Sequence, residues 1–475
     1  MSPPNLVPQP RSLAPSTGDL VVEGAPSLAE SVVEGLDAEA YRLVVDPDGA
    51  TLAAGSVDGL VLGRSTWRQV LDAATTDGEG RTVVPGVRIE DAPAYAWRGL
   101  HVDCSRHFTP VAELEKLVDA LALHRMNRLH LHLTDDQGWR VEIDGWPRLT
   151  EVGGYRRRTL VGHHGSAEGP DAEPTWTDEP HGGFYTQDEL RGLVSYAAER
   201  GVVIVPEIDL PGHMQAAIAA YPELGNLEGP VEVRDVWGIS DHVLAPTERA
   251  FQLVRDVLTQ VIAIFPGPWI HIGGDECPTV EWEASAQAQQ FMADRGLTSE
   301  RQIQREFLTV AHEVIAGAGR TLVGWDEIVE ADPPADAVVM LWRPGADVPL
   351  AERHGLSCVY AGCATLYLDH YQGDPEHEPL AIGGHTTLAD VYGTTELPAD
   401  ATERQRALLL GVQGQIWREY VPDDEHLEYM VFPRLCALSE VAWGVRTSYE
   451  DFVGRLRGGH LARLEKLGVR YRPLD

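Results

Sequence analysis

Beyond residue 92 the chain alternates between short apolar runs rich in β-branched residues and longer stretches of helical periodicity. Eight runs read as strands: Arg98 to Asp103, Arg128 to Leu133, Val202 to Glu207, Trp269 to Gly273, Thr321 to Trp325, Val338 to Trp342, Ser357 to Ala361 and Gly411 to Trp417. Their apolar character is nearly continuous, as in parallel strands covered on both faces. Helical patterns such as Val111 to His124, Gln187 to Arg200, Ala250 to Phe265 and Arg301 to Ala316 separate most of them. Eight strands with helical crossovers predict an α/β fold, a (β/α)8 barrel over residues 93–475. Residues 1–92 hold strand-like runs (Tyr41 to Val45, Thr82 to Val87) around a helical pattern from Leu60 to Leu71, which predicts a small α+β domain ending at Asp91-Ala92-Pro93.

A barrel of this kind carries its active site at the C-terminal ends of its strands. Asp103 and Arg106 follow strand one, Asp135, Asp136 and Trp139 follow strand two, and Glu207, Asp209 and His213 follow strand three. Strand four delivers Asp275 and Glu276, five ends in Trp325-Asp326-Glu327, six in Trp342-Arg343, and eight in Trp417-Arg418-Glu419. Strand seven lacks such an ending, but the long segment after it, Ala361 to Asp400, supplies Tyr367, Asp369 and His370.

The stretch His271-Ile272-Gly273-Gly274-Asp275-Glu276 is the most informative of these. Two glycines let the backbone approach a ligand while the chain leaves the sheet, and two adjacent carboxylates then sit at the strand mouth. Crowding and desolvation raise the pKa of one, so that a protonated Glu can act as acid beside an ionised Asp. The tetrad Gly-Gly-Asp-Glu also occurs in cyclases that make cyclic dinucleotides, where Phe follows; here Cys277 and Pro278 follow. Trp325, Trp342 and Trp417 at neighbouring strand ends add the indole faces on which sugar rings stack.

Composition narrows the partners. Lys plus Arg number 38 against 73 Asp plus Glu, a formal charge of −35, which argues against nucleic acid and anionic membranes and for a neutral or cationic substrate. The five cysteines form no dense framework and read mostly as reduced core thiols, with Cys358 and Cys363 near enough in sequence to pair in an oxidising compartment. The N-terminus has neither a basic nor an apolar signal region and no 18-residue apolar run occurs, so a cytoplasmic location is expected. His312-Glu313 lacks the second His of a zincin helix, and His130 and His132, with no third ligand nearby in sequence, read as packing residues. There is no dinucleotide fingerprint, phosphate loop or nucleophile elbow, and neither a metal nor a cofactor is expected.

Taken with Trp97-Arg98-Gly99, Asp103-Cys104-Ser105-Arg106-His107-Phe108, Leu131 to Trp139, Glu207 to His213, Gly324 to Glu327, Tyr367-Leu368-Asp369, Trp417-Arg418-Glu419, Pro433-Arg434 and Glu440 to Trp443, the hexapeptide resembles the β-N-acetylhexosaminidases of glycoside hydrolase family 20, of the bacterial type. The resemblance runs through nearly the whole chain. It implies a retaining, substrate-assisted hydrolysis of terminal N-acetylhexosaminide glycans or chitooligosaccharides, without an enzyme nucleophile. By position, it implies that Glu276 is the general acid/base and that Asp275 orients the 2-acetamido group. It further implies that Tyr367 donates to the acetamide carbonyl and that Trp325, Trp342 and Trp417 wall its methyl group. Arg106 and Glu419 would hold O3 and O4, Asp369 would hold O4 or O6, Asp135 and His213 would stand behind the acid, and Asp209 would complete the binding site or support its loop.

Two other outcomes stay open in the sequence: a sugar-binding protein on this scaffold that has lost catalysis, which retention of both carboxylates disfavours, and a lacto-N-biosidase-like relative that releases a disaccharide. Two loops, Gly162 to Gly183 and the segment after strand seven, are expected over the mouth, with Trp176 as a candidate second platform. Oligomeric state is not legible.

Overall fold

The computed structural model describes residues 4–163 and 173–474. Near the N-terminus, β1 (Ser12–Pro15), β2 (Ala29–Val32), β3 (Tyr41–Asp46), β4 (Gly49–Ala54) and β5 (Val87–Asp91) form a sheet in the order β1-β5-β3-β4-β2. Alternation of buried and open positions along β3 and β5 turns one face toward α1 (Val57–Leu71). Ser56 caps that helix by accepting from the Asp58 amide at 3.0 Å. The run Thr82 to Val87, expected as one strand, is split: Thr82–Val84 pairs in a separate small sheet and Val87 begins β5, because Pro85-Gly86 turns the chain between them.

All eight strands expected beyond residue 92 are present. They are β6 (Trp97–Asp103), β7 (Arg128–His132), β8 (Val203–Glu207), β9 (Trp269–His271), β10 (Thr321–Trp325), β11 (Val338–Leu341), β12 (Ser357–Tyr360) and β13 (Leu409–Ile416). Each pairs in parallel with its sequence neighbours and β13 closes on β6, giving a complete barrel. Every residue of β6 is buried, as a strand covered on both sides requires. Long crossovers include α2 (Val111–Leu123), α3 (Gln187–Ala198), α4 (Glu248–Ile264) and α5 (Arg301–Gly317), while β10 is followed by only a short 3-10 turn, Asp326–Ala331. Strand β9 is shorter than expected, because the chain leaves the sheet before the glycines.

The small sheet is pinned beneath the barrel by a buried ion pair. Arg125, between α2 and β7, places Nη1 2.7 Å from Asp91 Oδ2, with both side chains wholly buried. The same carboxylate accepts from the Tyr41 hydroxyl at 2.7 Å and the Trp443 indole N–H at 2.9 Å. The five cysteines are all free; Cys358 is buried within β12 and does not bond Cys363. Among the described residues, no helix is long and apolar enough to cross a membrane.

Candidate active site

The carboxylate pair exists because the chain turns abruptly after β9. Gly273 (φ +62°) and Gly274 (φ +85°) are left-handed, and a Cβ on Gly273 would lie 1.9 Å from Asp209 Oδ1. Asp209 in turn accepts the Gly274 amide at 3.0 Å, and Gln304 Nε2 donates to the Gly274 carbonyl at 2.7 Å. The loop so held buries Asp275 and leaves Glu276 half-buried, facing the open mouth. Glu276 itself has φ +43°, an uncommon conformation for a residue with a side chain and a frequent mark of functional sites.

Burial, and next the charge of Asp275, raises the pKa of Glu276. Burial also raises Asp275, against the pull of His213. Asp209 is pushed well above the usual carboxylate range, first by burial and then by Asp275. Of the two roles expected for Asp209, binding substrate or supporting the loop, the geometry has the second: it is not among the residues lining the cavity and braces the glycine turn.

His213 (φ +52°) stands between the pair and strand two. Its Nδ1 is 3.3 Å from Asp135 Oδ1 and 3.7 Å from Asp136 Oδ2, while its Nε2 is 3.7 Å from Glu276 Oε2 and 3.9 Å from Asp275 Oδ2. Burial opposes a charge on this ring, but Asp135 and Asp209 outweigh it and hold the pKa well above normal. Asp136 instead accepts the Gln215 amide at 3.0 Å.

A cavity of about 850 Å³ opens over these groups; Arg106, Asp135, Tyr367, Asp369 and Glu419 line it together with Asp275, Glu276 and His213, and Asp209 does not. Trp325, Trp342 and Trp417 form its walls, and Trp342 and Tyr367 are nearly parallel, 5.9 Å between centroids. The indole N–H groups of two walls are occupied behind the surface: Trp325 donates to Glu207 at 2.8 Å and Trp342 to Glu327 at 2.9 Å. Arg106 lies 5.1 Å above the Trp417 ring, with Nη2 2.8 Å from Asp135 and Nε 3.0 Å from Gln137. Burial, then Asp369, keeps the Tyr367 phenol protonated and available as a donor. Asp369 is itself raised, by burial and then by Glu419, and its Oδ1 has no protein partner, as a carboxyl aimed at hydroxyl groups would be.

Several parts of the site were not anticipated. Trp237 lines the cavity from the irregular stretch between Gly225 and Thr247, which carries no periodic signal. With Glu419 and Tyr420 it also borders an adjoining cavity of about 680 Å³. His130 and His132 are not simple packing residues, because the barrel brings Glu207, His101 and His271 against them. Trp176 has one face covered by the Arg158 guanidinium, 3.5 Å from the ring centroid, and lines neither cavity. The central part of the Gly162 to Gly183 loop lies outside the described residues.

Indole walls thus surround paired carboxyls at the mouth of a closed parallel barrel, the end at which such barrels carry their sites. The profile of the "Glycosyl hydrolase family 20, catalytic domain" matches residues 95–445, and "Glycosyl hydrolase family 20, domain 2" matches residues 14–92. A beta-hexosaminidase of Porphyromonas gingivalis is 38% identical over 92% of this chain and 55% of its own length, and one of Vibrio furnissii is 36% identical over 85% of this chain and 65% of its own. This chain therefore spans between about half and two thirds of these relatives. Among solved structures, a GH20 exo beta-N-acetylglucosaminidase from Vibrio harveyi in complex with N-acetylglucosamine superposes with a TM-score of 0.86 at 30% identity, covering 99% of this chain and 78% of the other. The chain belongs to glycosyl hydrolase family 20.

Proposed function

We propose that the protein is a retaining exo-β-N-acetylhexosaminidase, removing terminal non-reducing β-linked GlcNAc or GalNAc by substrate-assisted catalysis. The observation that carries this reading is the Asp275–Glu276 pair, with Glu276 raised in pKa and open to a cavity walled by three indoles. Glu276 protonates the departing oxygen while the acetamide carbonyl oxygen attacks C1, and the C1–leaving-group bond breaks to give an oxazolinium ion. Asp275 faces the positive charge that grows on the acetamide nitrogen. Tyr367 donates to the carbonyl oxygen, and Trp325, Trp342 and Trp417 press the group toward C1. Glu276, now ionised, takes a proton from water as that water opens the ring. The hydroxyls at the closed end fall to Arg106, Asp369 and Glu419.

The names of the relatives and the N-acetylglucosamine-bound structure support this substrate class. The test is hydrolysis of nitrophenyl N-acetyl-β-glucosaminide beside the plain glucoside. Turnover confined to the acetamido sugar, lost in Glu276→Gln and strongly blocked by a thiazoline mimic of the bicyclic ion, is the expected result; equal rates on the two sugars would reject the assisted mechanism.

A further inference from the structure

Beneath the cavity floor the barrel encloses a polar cluster that the mechanism above does not use. Strand register builds it: His132 is the Cα partner of Glu207 across β7 and β8, Glu207 is the partner of His271 across β8 and β9, and His101 is the partner of His130 across β6 and β7. All five side chains are fully buried.

Hydrogen-bond direction settles where the protons are. Trp97 Nε1 donates to Gln413 Oε1 at 3.0 Å, which fixes the amide, and Gln413 Nε2 then donates to His130 Nδ1, also at 3.0 Å. The remaining hydrogen of a neutral His130 is therefore on Nε2, 3.1 Å from Glu207 Oε2. Trp325 Nε1 donates to Glu207 Oε1 at 2.8 Å, and ring nitrogens of His130 and His132 lie 3.1 Å and 2.7 Å from Oε2, an arrangement that suits a carboxylate. Asp135 also accepts throughout: from Arg106 Nη2 at 2.8 Å, from the Asp136 amide at 2.5 Å and from His213 Nδ1. His132 spans the two, with Nδ1 2.7 Å from Glu207 Oε2 and Nε2 2.9 Å from Asp135 Oδ2. An imidazole whose two nitrogens both face ionised acceptors carries two protons.

We propose that Glu207 and His132 are positioning residues of the acid/base machinery, forming a buried carboxylate–imidazolium–carboxylate bridge that fixes Asp135, and through it His213 and Glu276, while the second oxygen of Glu207 anchors the Trp325 wall. The bridge extends the group behind Glu276 to the strand-three carboxylate and joins two functions, proton transfer and acetamide confinement, in a single residue. Other titratable groups face it: His101 Nε2 is 3.8 Å and His271 Nδ1 2.9 Å from Glu207, Asp209 borders His132, and Arg106 pairs with Asp135. Electrostatics agree with the geometry. Burial disfavours charge on both Glu207 and His132, yet the neighbouring opposite charges leave Glu207 well below the usual carboxylate range and His132 well above the usual imidazole range.

The kinetic arm of the test rests on the hydrolase reading, and the spectroscopic arm does not. In the full-length protein with 15N-labelled histidine, the His132 ring, assigned by its loss in His132→Gln, is expected to show two protonated nitrogens across pH 6 to 9. A neutral His132 at pH 7 overturns the proposal without any measurement of turnover. In Glu207→Gln the bridge loses its charge and His132 its proton, which leaves Asp135 less compensated near Glu276. kcat is then expected to fall about tenfold or more with little change in KM. The alkaline limb of kcat/KM should move up by about half a pH unit. Glu207→Asp, which keeps the charge, should restore the limb. A folded Glu207→Gln protein with the parent pH profile also overturns the proposal. Absence of turnover in the parent enzyme would count against the hydrolase reading alone.

Discussion

His213 directs Nε2 at the Glu276 carboxylate across 3.7 Å, beyond hydrogen-bond reach, so it acts on the acid through its charge. That charge lowers the Glu276 pKa, while burial and Asp275 raise it. In His213→Gln the lowering contribution is gone and the acid holds its proton more tightly. The alkaline limb of kcat/KM is expected to move to higher pH, with kcat down by about 10²-fold from the weaker acid in the first step. A pH–rate series checks both, and a limb moving downward would contradict the assignment.

Removing the neighbouring carboxylate acts in the opposite direction. Asp275 raises the Glu276 pKa, so Asp275→Asn should shift the alkaline limb to lower pH. Loss of the charge opposite the acetamide nitrogen should cost about 10²- to 10³-fold in kcat, the usual range for deleting one transition-state stabiliser. Steady-state kinetics on the acetamido substrate measure both effects.

Trp342 is held by Glu327, whose own pKa is pushed to about 8 by burial and then by the charge of Asp275. Trp342→Ala should lower kcat/KM by about 10²-fold, because the acetamide loses the wall that presses it toward C1. Thiazoline affinity should fall in parallel, measured by inhibition; unchanged affinity would place the group elsewhere.

At the domain joint, Asp91→Ala strands the wholly buried Arg125 guanidinium. Removing one partner of such a pair costs about 3–5 kcal/mol. Urea unfolding should show this loss, while turnover at low denaturant stays near the parent value because the joint is remote from the mouth. A parent-like unfolding midpoint would refute the role of this pair.

Much of this architecture was readable in advance for a physical reason. Strands buried on both faces are mostly apolar along their length, so β8, β10 and β11 stand out as nearly continuous runs, and their endings mark the mouth. Strand β9 was overestimated because Ile272 and the glycines prolong the apolar pattern into a turn that only the left-handed φ angles reveal. Trp237 escaped because an irregular loop has no period to read. The polar cluster escaped for a different reason: His101, His130, His132, Glu207 and His271 come from four strands, and only the register of a closed barrel makes them neighbours. Of the two tasks the sequence left to Asp209, the geometry has the bracing of the glycine turn, and only the structure separates them, since a carboxyl that props a turn and one that grips a sugar share the same letters.

The attachment of the small sheet has an architectural consequence. Asp91 precedes the first barrel strand and Arg125 precedes the second, so the clamp grips the barrel at its base, on the side from which the strands start. A disturbance of the small sheet is thereby felt at the foot of the strands and not at the open end that holds Asp275 and Glu276.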